Sequence, residues 1–319
     1  MNISFKPITL DDKEVITSFT LNSPYMNCDF SFVNMCSWRF LYNSEYAVVD
    51  GFLLIRFQVE DNSHFVYMCP VGTGNLACAV ELLEEDSLKR GHPLWLLGVT
   101  PEGRIALENT FPDGFRYMPE RDYFDYIYLR EDLINLTGKK YQPKRNHINK
   151  FTKLYRYEYM PITPELVPEC LELERKWYQA NRTDDDAEEL SNERRSLTYA
   201  LRHADKLGLI GGSICVDRQI VAFSFGAPIN ANTFGVHVEK ADINYEGVYS
   251  MINREFTAHL SEQYIYVNRE EDLGIPGLRQ AKQSYHPALL LEKYTAVKKS
   301  RSSGKKCSEC NQGNRLVHA

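Results

Sequence analysis

Along residues 155–162, "YRYEYMPI", bulky and polar side chains alternate, the period of a half-buried strand. The next stretch changes period. Leu166, Cys170, Leu173 and Trp177 recur at helical spacing, behind Thr163 as a cap and early acids at Glu165 and Glu169. A second helix is expected in "DDDAEELSNERRSLTYALRHA", with Leu190, Leu197, Ala200 and Leu201 on its inner face. Alternation returns in "LIGGSICV" and "QIVAFSFGAPI", which the Asp217-Arg218 turn joins into a hairpin, and again in "TFGVHVEK". Val248, Ile252, Phe256 and Leu260, four apart, mark another helix. "QYIYVN" follows as a strand, "PGLRQAKQSY" as a short helix and "ALLLEKYTAV" as a last strand. The predicted order is β-α-α-β-β-β-α-β-α-β.

The first half gives nearly the same order. "ISFKPI" is a strand, and helices are expected over residues 12–20 and 32–42. "EYAVV" and "FLLIRFQV" flank an Asp-Gly pair, a strong hairpin signal. "HFVYMCPV" is a third strand, and "NLACAVELLEEDSLKRG" is a helix ending at Gly91. "PLWLLGV", a helix opened by Pro101 at its first position, and "YFDYIYL" complete the half. The halves share almost no residue identity, so the repeat is one of topology. The expected fold class is α/β (an α+β mixed sheet) with domains at 1–135 and 136–298, and 299–319 as a disordered tail. The order resembles the GNAT acyltransferase fold, whose sheet splays open between its fourth and fifth strands. The resemblance implies two tandem GNAT-like acyltransferase domains, with donor and acceptor meeting in the second half's cleft.

Charge sharpens this picture. The net charge of −6 argues against a general nucleic-acid binder. Yet residues 139–156 carry seven Lys/Arg and no acid, interleaved with Tyr141, Phe151 and Tyr155. Basic residues among aromatics suit a tRNA end or the phosphates of CoA. Residues 165–193 reverse the balance, around "DDDAEE". No apolar run approaches the roughly 20 residues that cross a bilayer, and the N-terminus lacks the basic start and apolar core of a signal peptide. A cytoplasmic protein is expected, its eight scattered cysteines acting as small buried hydrophobes.

The densest candidate chemistry is "NREEDLG", residues 268–274, at the C-terminal end of the second half's fifth strand. Crevices at such strand ends hold ligands in open α/β sheets. Glu271, Asp272 and Glu270 are the candidate catalytic carboxylates, able to hold a cationic amine or take its proton. If the strand continues, alternation points Asn268 and Glu270 to one face and Arg269 and Glu271 to the other. Asn268 and Arg269 are then substrate-binding candidates. So are Lys282 and Tyr285, on the face of the short helix beside Leu278 that meets the cleft. His237 and Glu239 lie two apart on the third strand and are expected to share a face. For a donor's phosphates, glycine turns are candidates at Gly72 and Gly74 in "PVGTGN" and at Gly247. The tail's Cys307-x-x-Cys310 and His318 make half a zinc site, so no metal is expected.

"VNREEDLGIPGLRQAKQSYHP" also resembles the signature of a bacterial domain family related to the C-terminal cytosolic domain of phosphatidylglycerol lysyltransferases. "YQPKRNHINKF" resembles that family's basic Lys-Arg-Asn segment, here Lys144, Arg145 and Asn146. "VHVEKADINYEGVYSMINREF" resembles its third strand and following helix, and "LLLEKY" its terminal strand. The resemblance covers residues 20–298. It implies a tandem GNAT fold shared with peptidoglycan-bridge aminoacyltransferases, with Lys144, Arg145 and Asn146 on the donor side. It also implies transfer of an aminoacyl group from aminoacyl-tRNA, with no other cofactor. The expected acceptor is an amine or hydroxyl of a small molecule, peptide or lipid head group. The alternatives are an acyl-CoA-dependent N-acyltransferase and a non-catalytic amino-acid or peptide-binding module.

Overall fold

The computed structural model describes residues 3–59, 64–183 and 187–299. The first hairpin forms where Asp50-Gly51 places it. Those two residues take φ of 47° and 80°, and Glu45–Val49 pairs antiparallel with Phe52–Gln58. The sheet runs in the order Lys6–Pro7, Glu45–Val49, Phe52–Gln58, Phe65–Met68, Trp95–Val99, Tyr294–Lys298, Phe115–Pro119. Helices Leu76–Lys89 and Pro101–Thr110 cover one side, burying Val80, Leu83 and Leu107 with Leu54, Tyr67 and Leu96.

The second sheet runs Leu289–Leu291, Asp125–Leu129, Tyr266–Asn268, Thr233–Ala241, Gln219–Pro228, Ile210–Val216, Tyr157–Pro161. Helices Gln142–Leu154 and Val248–Ala258 pack on one side, where Ile148, Phe151, Met251, Ile252 and Phe256 form a core. Helices Val167–Asn181 and Ala187–Arg202 pack on the other, in a core shared with Phe30, Phe32 and Val33 of the first half. No helix among the described residues is long and apolar enough to cross a membrane.

Two strands depart from the simple repeat. "YFDYIYL" reads as the close of the first half, but Asp125–Leu129 lies in the second sheet, with Ile127 opposite Asn268. The expected final strand breaks in two at Glu292 and Lys293. Leu289–Leu291 stays in the second sheet, while Tyr294–Lys298 fills the gap between Trp95–Val99 and Phe115–Pro119. The chain thus crosses the expected 135/136 boundary twice to complete its sheets. Period-2 alternation fixes which face is buried and is silent about which sheet supplies the partner.

The second sheet also opens where its parallel pair ends. Thr233, Phe234 and Gly235 pair with Tyr266, Val267 and Asn268, and there the described pairing stops. Thr233–Ala241 continues alone against Gln219–Pro228, with a bulge. Gly226 faces Val236 and Phe225 faces Val238, so His237 is the extra residue. The bulge shifts the parity of the strand: Val236 packs under Val248–Ala258, and Val238 packs on the opposite side.

A fragment of residues 1–135 lacks the strand that separates Trp95–Val99 from Phe115–Pro119. By circular dichroism and urea titration it is expected to show no cooperative unfolding. It should be recovered folded when co-expressed with residues 136–299. A two-state transition of the isolated fragment contradicts this.

Candidate functional site

The strand Tyr266–Asn268 ends on a hydrogen-bonded turn. Asn268 Nδ2 donates to the carbonyl of Met26 and to Asp125 Oδ2, and its Oδ1 accepts the Glu270 N–H at 2.7 Å. Glu270 then takes φ of 60°, which breaks the alternation. Arg269 alone points to the Val248–Ala258 side. Asn268, Glu270 and Glu271 all reach toward the first half, so Glu271 does not share a face with Arg269 as the alternation predicts.

Asp272 is not free to act on a substrate. Its carboxylate is fully buried and accepts from Arg279 Nε and Nη2 at 2.9 and 2.7 Å, and from Arg121 at 3.0 Å. The Tyr126 hydroxyl and the Gly274 N–H complete the set at 2.6 and 2.9 Å. Burial alone would raise its pKa, but these donors outweigh it and hold the carboxyl well below the usual range. Lys282 likewise turns away from a ligand. Its Nζ donates to the carbonyls of Arg269, at 2.5 Å, and Glu271, and desolvation pushes its pKa down. Both residues, read from sequence as site candidates, brace the loop.

Glu271 belongs to a buried charge cluster. Lys293 Nζ lies 2.5 Å from Glu271, 2.9 Å from Asp29 and 3.0 Å from Asp125. Cys28 donates its N–H to Asp125 at 2.7 Å and its thiol to Glu271 at 3.2 Å. One ammonium faces three carboxylates. Burial pushes Glu271 up to about 7; Lys293 opposes the rise and the neighbouring aspartates add to it. Burial also raises Asp125, whereas Lys293 and Asn27 outweigh burial at Asp29 and hold it low. Lys293 itself stays charged, because the carboxylates overcome its desolvation. Cys28, Asp29 and Glu271 bring ligand atoms within 4.8 Å of one another, but the lysine already supplies the cation there.

Glu270 meets the opening between the strands. Its Oε1 accepts from Asn34 Nδ2 at 2.8 Å and lies 2.8 Å from His237 Nδ1. His237 Nε2 lies 2.8 Å from Ser31 Oγ. This Ser-His-Glu line has the atom order of a hydrolytic triad. Its accessibility is reversed, however: Ser31 is fully buried and Glu270 is 22% exposed. The carboxylate, not the hydroxyl, is the end that a ligand can reach.

Across the sheet lies a second group. The bulge sends Glu239 away from His237, against the expectation that the two share a face. Glu239 accepts from Arg269 Nη2 at 3.1 Å and from Asn253 Nδ2 at 3.4 Å. Arg269 sits 5.8 and 5.0 Å from the ring centroids of Tyr128 and Tyr285. Lys144 Nζ lies 4.0 Å from the Tyr285 centroid. Burial pushes the Lys144 pKa down to about 8; Arg269 adds to the fall and Glu239 opposes it.

The other donor candidates have local duties. Arg145 caps the preceding chain through the Leu136 and Gly138 carbonyls and Gln142, and Asn146 accepts from Gln142. A Cβ at Gly247 would meet the His147 carbonyl oxygen at 2.2 Å, so that glycine serves helix packing. Gly72 and Gly74 accommodate the 50–51 turn, where a Cβ would meet backbone oxygens at 2.1 and 2.7 Å. The N–H groups of Ala77 and Cys78 at the next helix start are taken by Asn75 Oδ1. Each of these glycines thus has a packing reason of its own. Cys307, Cys310 and His318, with the tail from residue 300 onward, lie outside the described residues. Sequence reasoning missed Ser31, Asn34, Asp125 and Lys293. A charge inside the apolar run "ALLLEKYTAV" was the signal for Lys293; nothing local marks the other three.

The family model of the phosphatidylglycerol lysyltransferase C-terminal domain matches residues 23–297. The crystal structure of a conserved protein of unknown function from Bacteroides thetaiotaomicron is 53% identical, with a TM-score of 0.89, over 93% of this chain and 100% of that one. L-PGS from Bacillus licheniformis is 16% identical, with a TM-score of 0.66, over 93% and 94% of the two chains. That second likeness is one of fold. An uncharacterized protein of Mycoplasmoides gallisepticum is 28% identical over 177 residues, which are 53% of this chain and 54% of that protein. The match therefore spans about half the length of that curated relative. The architecture is the tandem GNAT-like one.

The brace reading of Asp272 has a measurable consequence. Asp272→Ala removes the buried acceptor of Arg279, Arg121 and Tyr126 and should cost about 2–3 kcal/mol in urea unfolding. The folded pKa is depressed, so this contribution is full above the ordinary aspartate value of 3.8 and fades as the pH falls below it. A variant as stable as the parent at pH 7 contradicts the assignment.

Proposed function

The chain belongs to the phosphatidylglycerol lysyltransferase C-terminal family, a family of GNAT-type acyltransferase fold, and we propose that it transfers an aminoacyl group from aminoacyl-tRNA to an amine or hydroxyl acceptor. The observation that carries the reading is the open seam beyond Gly235 and Asn268, with the Glu270 carboxylate at its mouth. The described hydrogen bonds to that carboxylate fall on Oε1, leaving Oε2 for a ligand.

In the proposed reaction Glu270 takes a proton from the acceptor as its nitrogen or oxygen bonds to the acyl carbon. The ester bond to the tRNA ribose breaks, and the ribose oxygen leaves with a proton. Asn34 and His237 hold the carboxylate, and Ser31 holds the imidazole, so these are positioning residues. The RNA would approach along Gln142–Leu154, which adds Lys150 and Lys153 to Lys144 and follows directly on Lys139 and Lys140. The acceptor is a small molecule, a peptide or a lipid head group, and the setting is the cytoplasm, where charged tRNA is found. An acyl-CoA donor has less support, because Gly72, Gly74 and Gly247 are used in packing.

The test is transfer of radiolabelled amino acid from a pool of charged tRNAs to low-molecular-weight and lipid fractions. Glu270→Gln should lower the rate by roughly 10²–10⁴-fold while the melting temperature stays within a few degrees. Equal rates for variant and parent remove Glu270 as the base. Absence of labelled product from every charged tRNA overturns the donor assignment.

A further inference from the structure

The helix Ala187–Arg202 turns a basic face outward, away from the opened strands. Ser191, Arg194, Arg195, Thr198 and Arg202 recur three or four apart and share one side, which His203 extends past the last turn. With Tyr199 they line a groove of about 440 Å³. A second groove, of about 310 Å³, shares Arg194, Thr198 and Arg202 and reaches toward helix Val167–Asn181. Among the described residues no carboxylate lines the wider groove, in a chain whose net charge is −6. The arginines are held from behind. Arg194 Nε lies 3.0 Å from the buried Glu174 carboxylate, and the Arg195 guanidinium lies 3.9 Å from the Phe40 ring centroid. Neither Arg195 nor Arg202 has an ion pair among the described residues. A cleft lined by one sign of charge concentrates the opposite ion.

We propose that this groove binds an oligophosphate, a small molecule with three or more linked phosphates, as an effector and not as a substrate. The volume is that of a small-ligand site. Arg195 and Arg202 are seven residues apart, about 10 Å along the helix axis. A single oxyanion reaches only one end of that span, whereas a chain of linked phosphates reaches both. Each unit of the chain carries charge and presents oxygens all round, so it can meet guanidiniums and the hydroxyls of Ser191 and Thr198 in turn. Carboxylates are planar and match a guanidinium fork, and they leave the hydroxyls between the arginines unused. The effector reading comes from the other side of the helix. There Ser196 Oγ donates to Ser37 Oγ at 2.9 Å, in the helix that begins after Ser31 and carries Asn34. The groove is thus one helix layer from the residues that hold Glu270 and His237. Binding there does not depend on the transfer reading above.

Binding is measured by calorimetry and thermal shift on the full chain in low-salt buffer, using tripolyphosphate, ATP, inorganic phosphate, citrate and a short single-stranded RNA. Tripolyphosphate should bind at least about tenfold more tightly than inorganic phosphate, and its affinity should fall as salt is added. Arg202→Gln should weaken it by about tenfold, and Arg195→Gln with Arg202→Gln should abolish it. Arg202→Gln alone carries the test if the double variant fails to fold, since Arg195 also packs on Phe40. ATP binding more tightly than tripolyphosphate identifies a nucleoside source; the reverse order, or equal binding, identifies an inorganic one. No binding of either by the parent, inorganic phosphate or citrate acting as well, or unchanged affinity in Arg202→Gln overturns the site. RNA binding more tightly than both, and lost in the same variant, overturns the small-molecule assignment. Tripolyphosphate binding without any aminoacyl transfer leaves the site standing and removes the transfer reading. Transfer without tripolyphosphate binding does the reverse.

Discussion

A single ammonium holds the molecule's separate parts in register. Lys293 draws together Asp29 from the turn before the first half's second helix, Asp125 from the start of an exchanged strand, and Glu271 from the site loop. It stands one residue before the other exchanged strand, Tyr294–Lys298. Each buried charge would cost several kcal/mol alone, and only their mutual proximity makes the group tolerable. With three carboxylates to one cation, burial pushes Glu271 and Asp125 upward, toward their protonated forms. An arrangement that parted Lys293 from them would leave these charges unpaired in a low-dielectric interior. The cluster therefore specifies the assembly as well as contributing to it.

The site loop inherits its shape from that arrangement. It is tied at Glu271 by Lys293, at Asp272 by Arg279 and Arg121, and along its backbone by Lys282. These ties leave Arg269 and Glu270 to face opposite sides of the opened sheet. Polar groups held this rigidly from behind keep their orientation when a ligand arrives. The charges in "NREEDLG" thus divide into two kinds. Glu271 and Asp272 hold the fold, and Arg269 and Glu270 stand beside the opening.

Much of this was legible in the sequence. The elements, the topological repeat and the position of the loop followed from periodicity and turn chemistry, as the Asp50-Gly51 hairpin and the Val248–Ala258 helix show. The failures share a cause. Alternation assumes a regular ladder and so puts His237 and Glu239 on one face, and the bulge at Val236–Val238 breaks that ladder. Glu271 leaves the face that alternation gives it because Glu270 enters the left-handed region, which a non-glycine residue rarely signals. Asp272 and Lys282 looked available because their partners, Arg121 and the loop carbonyls, come from other segments or from backbone. Ser31 lies 206 positions from His237, and no local pattern spans that distance.

The exchanged strand bears on how the chain is made. On a ribosome adding about 5–20 residues per second, roughly 10 to 35 seconds separate synthesis of Phe115–Pro119 from that of Tyr294–Lys298. Throughout that interval two strands of the first sheet await the neighbour that belongs between them. Their exposed edges invite pairing with another nascent chain. Neither sheet is complete until both halves of the chain have been made.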